Sequence, residues 1–132
     1  MITKMNPFFN ATRDHFEGPT ITEWCKTTNA YHADDIVGAF GSDCVVLESG
    51  YEGDDYHGAI NLLLAMPGDN YVIVYFDWGS GEGCDSNYGL TSAQVALRIR
   101  QDCSIYFRSF DMVLRYLNLV QPKWIRVNEG KR

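Results

Sequence analysis

The residues with the strongest claim to chemistry stand in one run: Asp77-Trp78-Gly79-Ser80-Gly81-Glu82-Gly83-Cys84-Asp85-Ser86-Asn87-Tyr88-Gly89. Cys84 is the one candidate catalytic residue. A thiol set among glycines near a helix start can ionise readily, because exposure and a helix N-terminus both lower its pKa. A nucleophilic cysteine also needs a base, and His15, His32 and His57 stand in no motif that ties them to Cys84. The acids beside it oppose ionisation. Asp77, Glu82, Asp85 and Asn87 are oxygen donors of the kind hard divalent cations take, at a spacing unlike the EF-hand loop. Zinc would need further Cys or His ligands at tetrahedral spacing, and none stands there. A phosphate cradle is disfavoured as well. The order G-x-G-x-G without a following Lys matches neither the dinucleotide fingerprint nor the P-loop, and three carboxylates repel phosphate. The alternative to all of these is a glycine-rich connection with Trp78 and Tyr88 packed at the domain edge and Cys84 as a small filler. A loop with four glycines carries a large ordering entropy, which a binding role would account for.

Charge supplies the second signal. Between Lys26 and Arg98 lie 71 residues without a Lys or Arg and with eleven acids: Asp34, Asp35, Asp43, Glu48, Glu52, Asp54, Asp55, Asp69, Asp77, Glu82 and Asp85. From Arg98 onward eight Lys or Arg stand against three acids, so the net charge of −6 conceals an acidic body and a basic C-terminal third. Summed charge steers association. The acidic body is therefore expected to meet a basic surface and to avoid direct contact with nucleic acid.

The elements that position these residues read as α+β: an antiparallel sheet of three to five strands with three to four helices on one side. Residues 1 to 18 lack periodicity and read as a poorly ordered arm before one domain over 19 to 132. Thr20 and Glu23 form a capping box for a helix with Ile21, Trp24, Cys25 and Thr28 on one face. A second helix is expected from Asp34 to Phe40, ended by Gly41. Strands follow at Asp43–Ser49, Tyr56–Met66 and Tyr71–Trp78, with turns rich in Gly, Asp and Asn between them. The stretch 91 to 107 supports two readings. Apolar odd positions suggest strand, whereas the capping box Thr91/Gln94 and good helix formers favour a helix over 92 to 101 and a short strand over 103 to 107. Ser109 caps a last helix, Pro122 ends it, and Trp124, Ile125 and Val127 suggest an edge strand.

Compartment follows from what the chain lacks. Its longest apolar run, Leu62 to Pro67, is far shorter than the roughly 20 residues of a membrane helix. The first residues do not resemble a signal peptide, so a cytoplasmic protein without membrane contact is expected. Cys25, Cys44, Cys84 and Cys103 form no C-x-x-C pair and read as reduced, with Cys25 and Cys44 as core residues.

The run Tyr71 to Gly81, the pair Cys84-Asp85, the segment Ser104 to Phe110 and the upstream Gly50-Tyr51-Glu52-Gly53-Asp54 together resemble small phage and bacterial proteins that carry no assigned activity. In those, a strand enters a Gly-Ser-Cys-rich turn ending in Cys-Asp, and a helix, a short strand and a final helix follow. The resemblance covers about residues 34 to 118. Their second loop cysteine is absent here, with Glu82 close to its place, so paired-thiol chemistry is not implied.

These readings lead to one expectation and two alternatives. The expectation is a small non-enzymatic interaction protein, of the kind a phage inhibitor would be. It would need no cofactor and would engage a basic surface of a larger nucleic-acid-binding partner. Its contact residues would be Glu52, Asp54, Asp55, Asp77, Trp78, Glu82 and Asp85. The alternatives are a small-ligand or divalent-cation binder using loop 77–89, and an enzyme dependent on Cys84. The expectation requires the 52–55 tip and the 77–85 loop to lie on the same side of the sheet.

Overall fold

The computed structural model describes residues 18–28, 32–53, 57–79, 87 and 89–125, with the backbone alone at 52, 53, 57 and 79. The expected arm over 1–17, the acids Asp54, Asp55, Glu82 and Asp85, Cys84, and the strand position Val127 lie outside the described residues. The elements in order are α1 (Ile21–Thr28), α2 (Ala33–Phe40), β1 (Val45–Gly53), β2 (His57–Met66), β3 (Asn70–Gly79), α3 (Ser92–Asp102), β4 (Ser104–Phe107) and α4 (Phe110–Val120). The strands form one antiparallel sheet in the order β1-β2-β3-β4, which makes the domain α+β.

Local chemistry accounts for most boundaries. Both capping boxes close as expected: Glu23 N–H donates to Thr20 Oγ1 at 3.2 Å and Thr20 N–H to Glu23 Oε1 at 2.9 Å. Gln94 and Thr91 exchange the same pair of bonds at 3.1 and 2.8 Å, which fixes 92–102 as helix. Ser109 accepts from Met112 N–H at the start of α4. Gly41 ends α2 at φ 87°, a conformation natural to glycine, and donates its N–H to Val37 O at 2.7 Å. Gly18 is required by close approach, since a Cβ there would stand 1.9 Å from the Val46 carbonyl oxygen.

The helices do not lie on one side of the sheet. Ile60, Leu62 and Leu64 of β2 join Val72, Val74, Phe76 and Trp78 of β3 in a core with α1, α2 and α3. Leu63 and Ala65 join Tyr71, Ile73 and Phe107 in a second core, closed by Val113 and Leu117 of α4 and by Ile125. The central strand is therefore buried on both faces, which explains the unbroken Leu62-Leu63-Leu64 run.

Strand β1 carries a register shift between Val46 and Glu48. Val46 shares a row with Leu64. Beyond the shift, Ser49 and Tyr51 share rows with Leu62 and Ile60, whereas Glu48, Gly50 and Glu52 share rows with Leu63, Asn61 and Ala59. The bulge thus moves the even-numbered residues of β1 into the rows of the α4 side. Where the C-terminal edge strand was expected, the described residues 123–125 form a turn. Ile125 N–H donates to Pro122 O at 3.3 Å, and the segment crosses the sheet so that Trp124 lies over Gly50.

Candidate functional site

Strand direction sets the site. β1 ends at Gly53, β2 begins at His57 and β3 ends at Gly79, so the hairpin tip and the start of the glycine loop share one end of the sheet. The register is closer still. Glu52 pairs with Ala59, and Ala59 pairs with Asp77. With antiparallel partners about 5 Å apart, the Glu52 and Asp77 backbones are separated by about 10 Å, roughly one Debye length at physiological salt. Asp77 is exposed and alternates with buried Phe76 and Trp78, which places its carboxylate on the α4 side. Trp78 is 8% exposed and belongs to the core with α1 to α3, which assigns its ring to the interior rather than to a contact surface.

Asn87 is the buried polar residue of this region, 3% exposed. Its ladder role follows from the shortness of β4. Paired residues of β4 reach only Val74, and Tyr75 N–H donates to Cys103 O at 2.9 Å; beyond that, among the described residues, no strand lies against this edge of β3, whose other edge pairs with β2. Asn87 Nδ2 donates to the Asp77 carbonyl at 3.4 Å, and Asn87 Oδ1 accepts from Arg98 Nη1 at 3.0 Å. One amide therefore ties the end of the glycine loop to the edge of β3 and to α3. A cation at Oδ1 would stand beside a guanidinium, which works against Asn87 as a metal ligand. The contact between Asn87 and Arg98 is not legible in the sequence, because Arg98 lies eleven residues away on a helix. Its position as the first cation after the Lys/Arg-free stretch was the available signal.

On the α4 side, one row along from Asp77, the row Gly50–Asn61–Tyr75 borders a cavity of about 310 Å³. Ile73, Tyr75, Ile105, Tyr116, Pro122 and Trp124 line it. Tyr75 is 46% exposed at its mouth. Tyr116 is held by a tilted contact with Phe107, ring centroids 5.3 Å apart. Trp124 is held against Gly50, where a Cβ would come within 2.7 Å of the Trp124 Cβ. No local pattern of residues announces this cavity, because its walls come from β3, β4, α4 and the turn after α4.

The other chemistry-bearing groups are internal. Cys25 donates its thiol to Ala33 O and Cys44 to Phe40 O. Burial, with Asp34 adding to it, pushes the Cys25 thiol up to about 11. Burial and Asp43 raise Cys44; burial raises Cys103 against the opposing pull of Arg98. These three are protonated core residues, as expected for Cys25 and Cys44. His32, in left-handed backbone at φ 68°, pairs through Nδ1 with Asp35 Oδ2 at 2.8 Å and sets its ring edge-on to Phe76. Among the described residues no group of three His, Cys, Asp or Glu is placed to hold a metal, and no helix is long and apolar enough to cross a membrane.

No protein-family model, curated protein or solved structure matches this chain.

Proposed function

We propose that this is a non-enzymatic binding protein whose acidic sheet end engages a basic surface of a larger protein. The observation that carries the reading is the shared row Glu52–Ala59–Asp77, which brings the two acidic segments of the sequence to one end of one sheet. Asp54 and Asp55 follow Glu52 in the chain, and Glu82 and Asp85 follow Asp77, so the connections at that end are themselves acidic. A partner that uses its basic surface to hold nucleic acid would be blocked by such a contact, and inhibition of the kind phage proteins exert on host enzymes is the specific form proposed. Electrostatic complementarity of this type speeds encounter and weakens with salt.

The test is the affinity for hexa-lysine between low and high salt. The wild type is compared with Glu52→Gln/Asp77→Asn and with Asp43→Asn/Asp69→Asn, whose exposed acids lie at the opposite end of the sheet. The reading predicts that the first pair weakens binding and flattens its salt dependence while the second does little. Equal effects from both pairs would reduce the interaction to net charge and remove the site.

A further inference from the structure

The cavity beside the acidic row has a composition unlike a leftover packing gap. Three of its six lining residues are aromatic: Tyr75, Tyr116 and Trp124. None of the six is charged. Tyr116 of α4 and Pro122 and Trp124 of the turn that follows the helix supply one wall. Asp77 stands two residues from Tyr75 on the same side of β3 and is exposed. The aromatic rings and the Asp77 carboxylate beside them both favour a positive charge at this place. Arg115 and Lys123 are the exposed cations next in sequence to the cavity's Tyr116 and Trp124. They favour an anion, but neither lines the cavity.

We infer that this cavity receives an arginine side chain from the basic partner segment that meets the acidic end. The inference rests on the proposed binding function and adds to it the side chain that is recognised. A guanidinium fits the site better than an ammonium. It is planar, stacks on aromatic rings and gives up less hydration on entering an apolar cleft. About 310 Å³ accommodates one such side chain with its methylene stem against Ile73, Ile105 and Pro122. The acidic row then takes the neighbouring charges of the same segment. The arrangement is an anchor in a pocket beside an electrostatic rim.

Four probes test this by titration into the ¹⁵N-labelled chain, read at the Trp124 indole N–H: hexa-arginine, hexa-lysine, hexa-citrulline and adenosine monophosphate. The expected result is that hexa-arginine binds about fivefold or more tighter than hexa-lysine and shifts the Trp124 resonance, from the size of a partly desolvated cation–π contact. Tyr75→Leu, which keeps apolar area at an exposed position and removes the π face, should bring hexa-arginine down to the hexa-lysine affinity and leave hexa-lysine unchanged. Hexa-arginine and hexa-lysine binding equally, both sensitive to Asp77→Asn and neither to Tyr75→Leu, would overturn the arginine pocket and leave the acidic contact standing. Failure of both cationic peptides to bind would overturn the binding function itself. Hexa-citrulline matching hexa-arginine, or adenosine monophosphate shifting Trp124 where the peptides do not, would also overturn the inference, the latter in favour of an aromatic anion.

Discussion

Replacing Asn87 with alanine should destabilise the fold chiefly through the loss of its bond from Arg98, although the same amide also reaches the edge of β3. In the wild type Asn87 Nδ2 donates to the Asp77 carbonyl and Oδ1 accepts from Arg98, and the side chain is almost fully buried. The first bond, at 3.4 Å, is long and contributes little by itself. The second involves a guanidinium, and such bonds contribute about 1.5–3 kcal/mol. The expected loss is therefore about 2 kcal/mol. With an unfolding entropy of about 2.1 cal/mol/K per residue, a chain of 132 residues loses about 7 °C in Tm. Arg98→Met keeps the aliphatic stem and supplies the second arm of a double-mutant cycle. If the amide acts through Arg98, the double variant should be about 1 kcal/mol less destabilised than the sum of the single ones. Urea unfolding, followed by circular dichroism at constant m-value, measures all four corners. A cost for Asn87→Ala within about 0.5 kcal/mol of zero, or additive single variants, would refute the reasoning.

Three further outcomes follow from the structure. Gly50→Ala places a Cβ 2.7 Å from that of Trp124, so it should destabilise by about 1–3 kcal/mol and move the Trp124 resonance; Gly38→Ala, whose Cβ would meet only the Ala96 Cβ at 3.6 Å, should stabilise α2 by about 0.5–1 kcal/mol, and thermal melts of the two compare them directly. The Cys25 thiol is raised in the folded state from an ordinary 9.0 to about 11, so its contribution is fully present below pH 9 and is lost as pH rises from 9 through 11; Cys25→Ala should flatten the fall of the urea midpoint across that window. Lys123→Gln, by removing an exposed cation next to Trp124, should tighten hexa-arginine binding, and calorimetric titration that found it weakened would count against a cationic occupant.

How much the sequence disclosed depended on the range of the interaction. The two capping boxes, the Gly41 stop and the turn chemistry after Met66 were legible because each is settled within a few residues. The second core was not. Ile60, Leu62 and Leu64 alternate as one buried face of a strand would, and only the return of α4 across the other face explains why Leu63 between them is fully buried too. Trp124 and Ile125 look like strand in isolation, yet Gly50, some 74 positions earlier, leaves room for Trp124 to cross the sheet and turns the segment into the wall of a cavity. The bulge after Val46 was equally hidden, although it decides which residues of β1 share rows with the α4 side. At the candidate site the acids were found by type, while the Asn87–Arg98 pairing that anchors their loop is a tertiary contact between residues with ordinary local readings.

The most direct test of the central claim is a chemical-shift map of the ¹⁵N-labelled chain with hexa-lysine at low salt. The account predicts that the perturbed amides cluster on Glu52, Ala59 and Asp77 and their neighbours along the three strands, and that the shifts vanish as salt is raised. Perturbations centred on Asp43 and Asp69 at the opposite end, or spread evenly over all the acids, would contradict it.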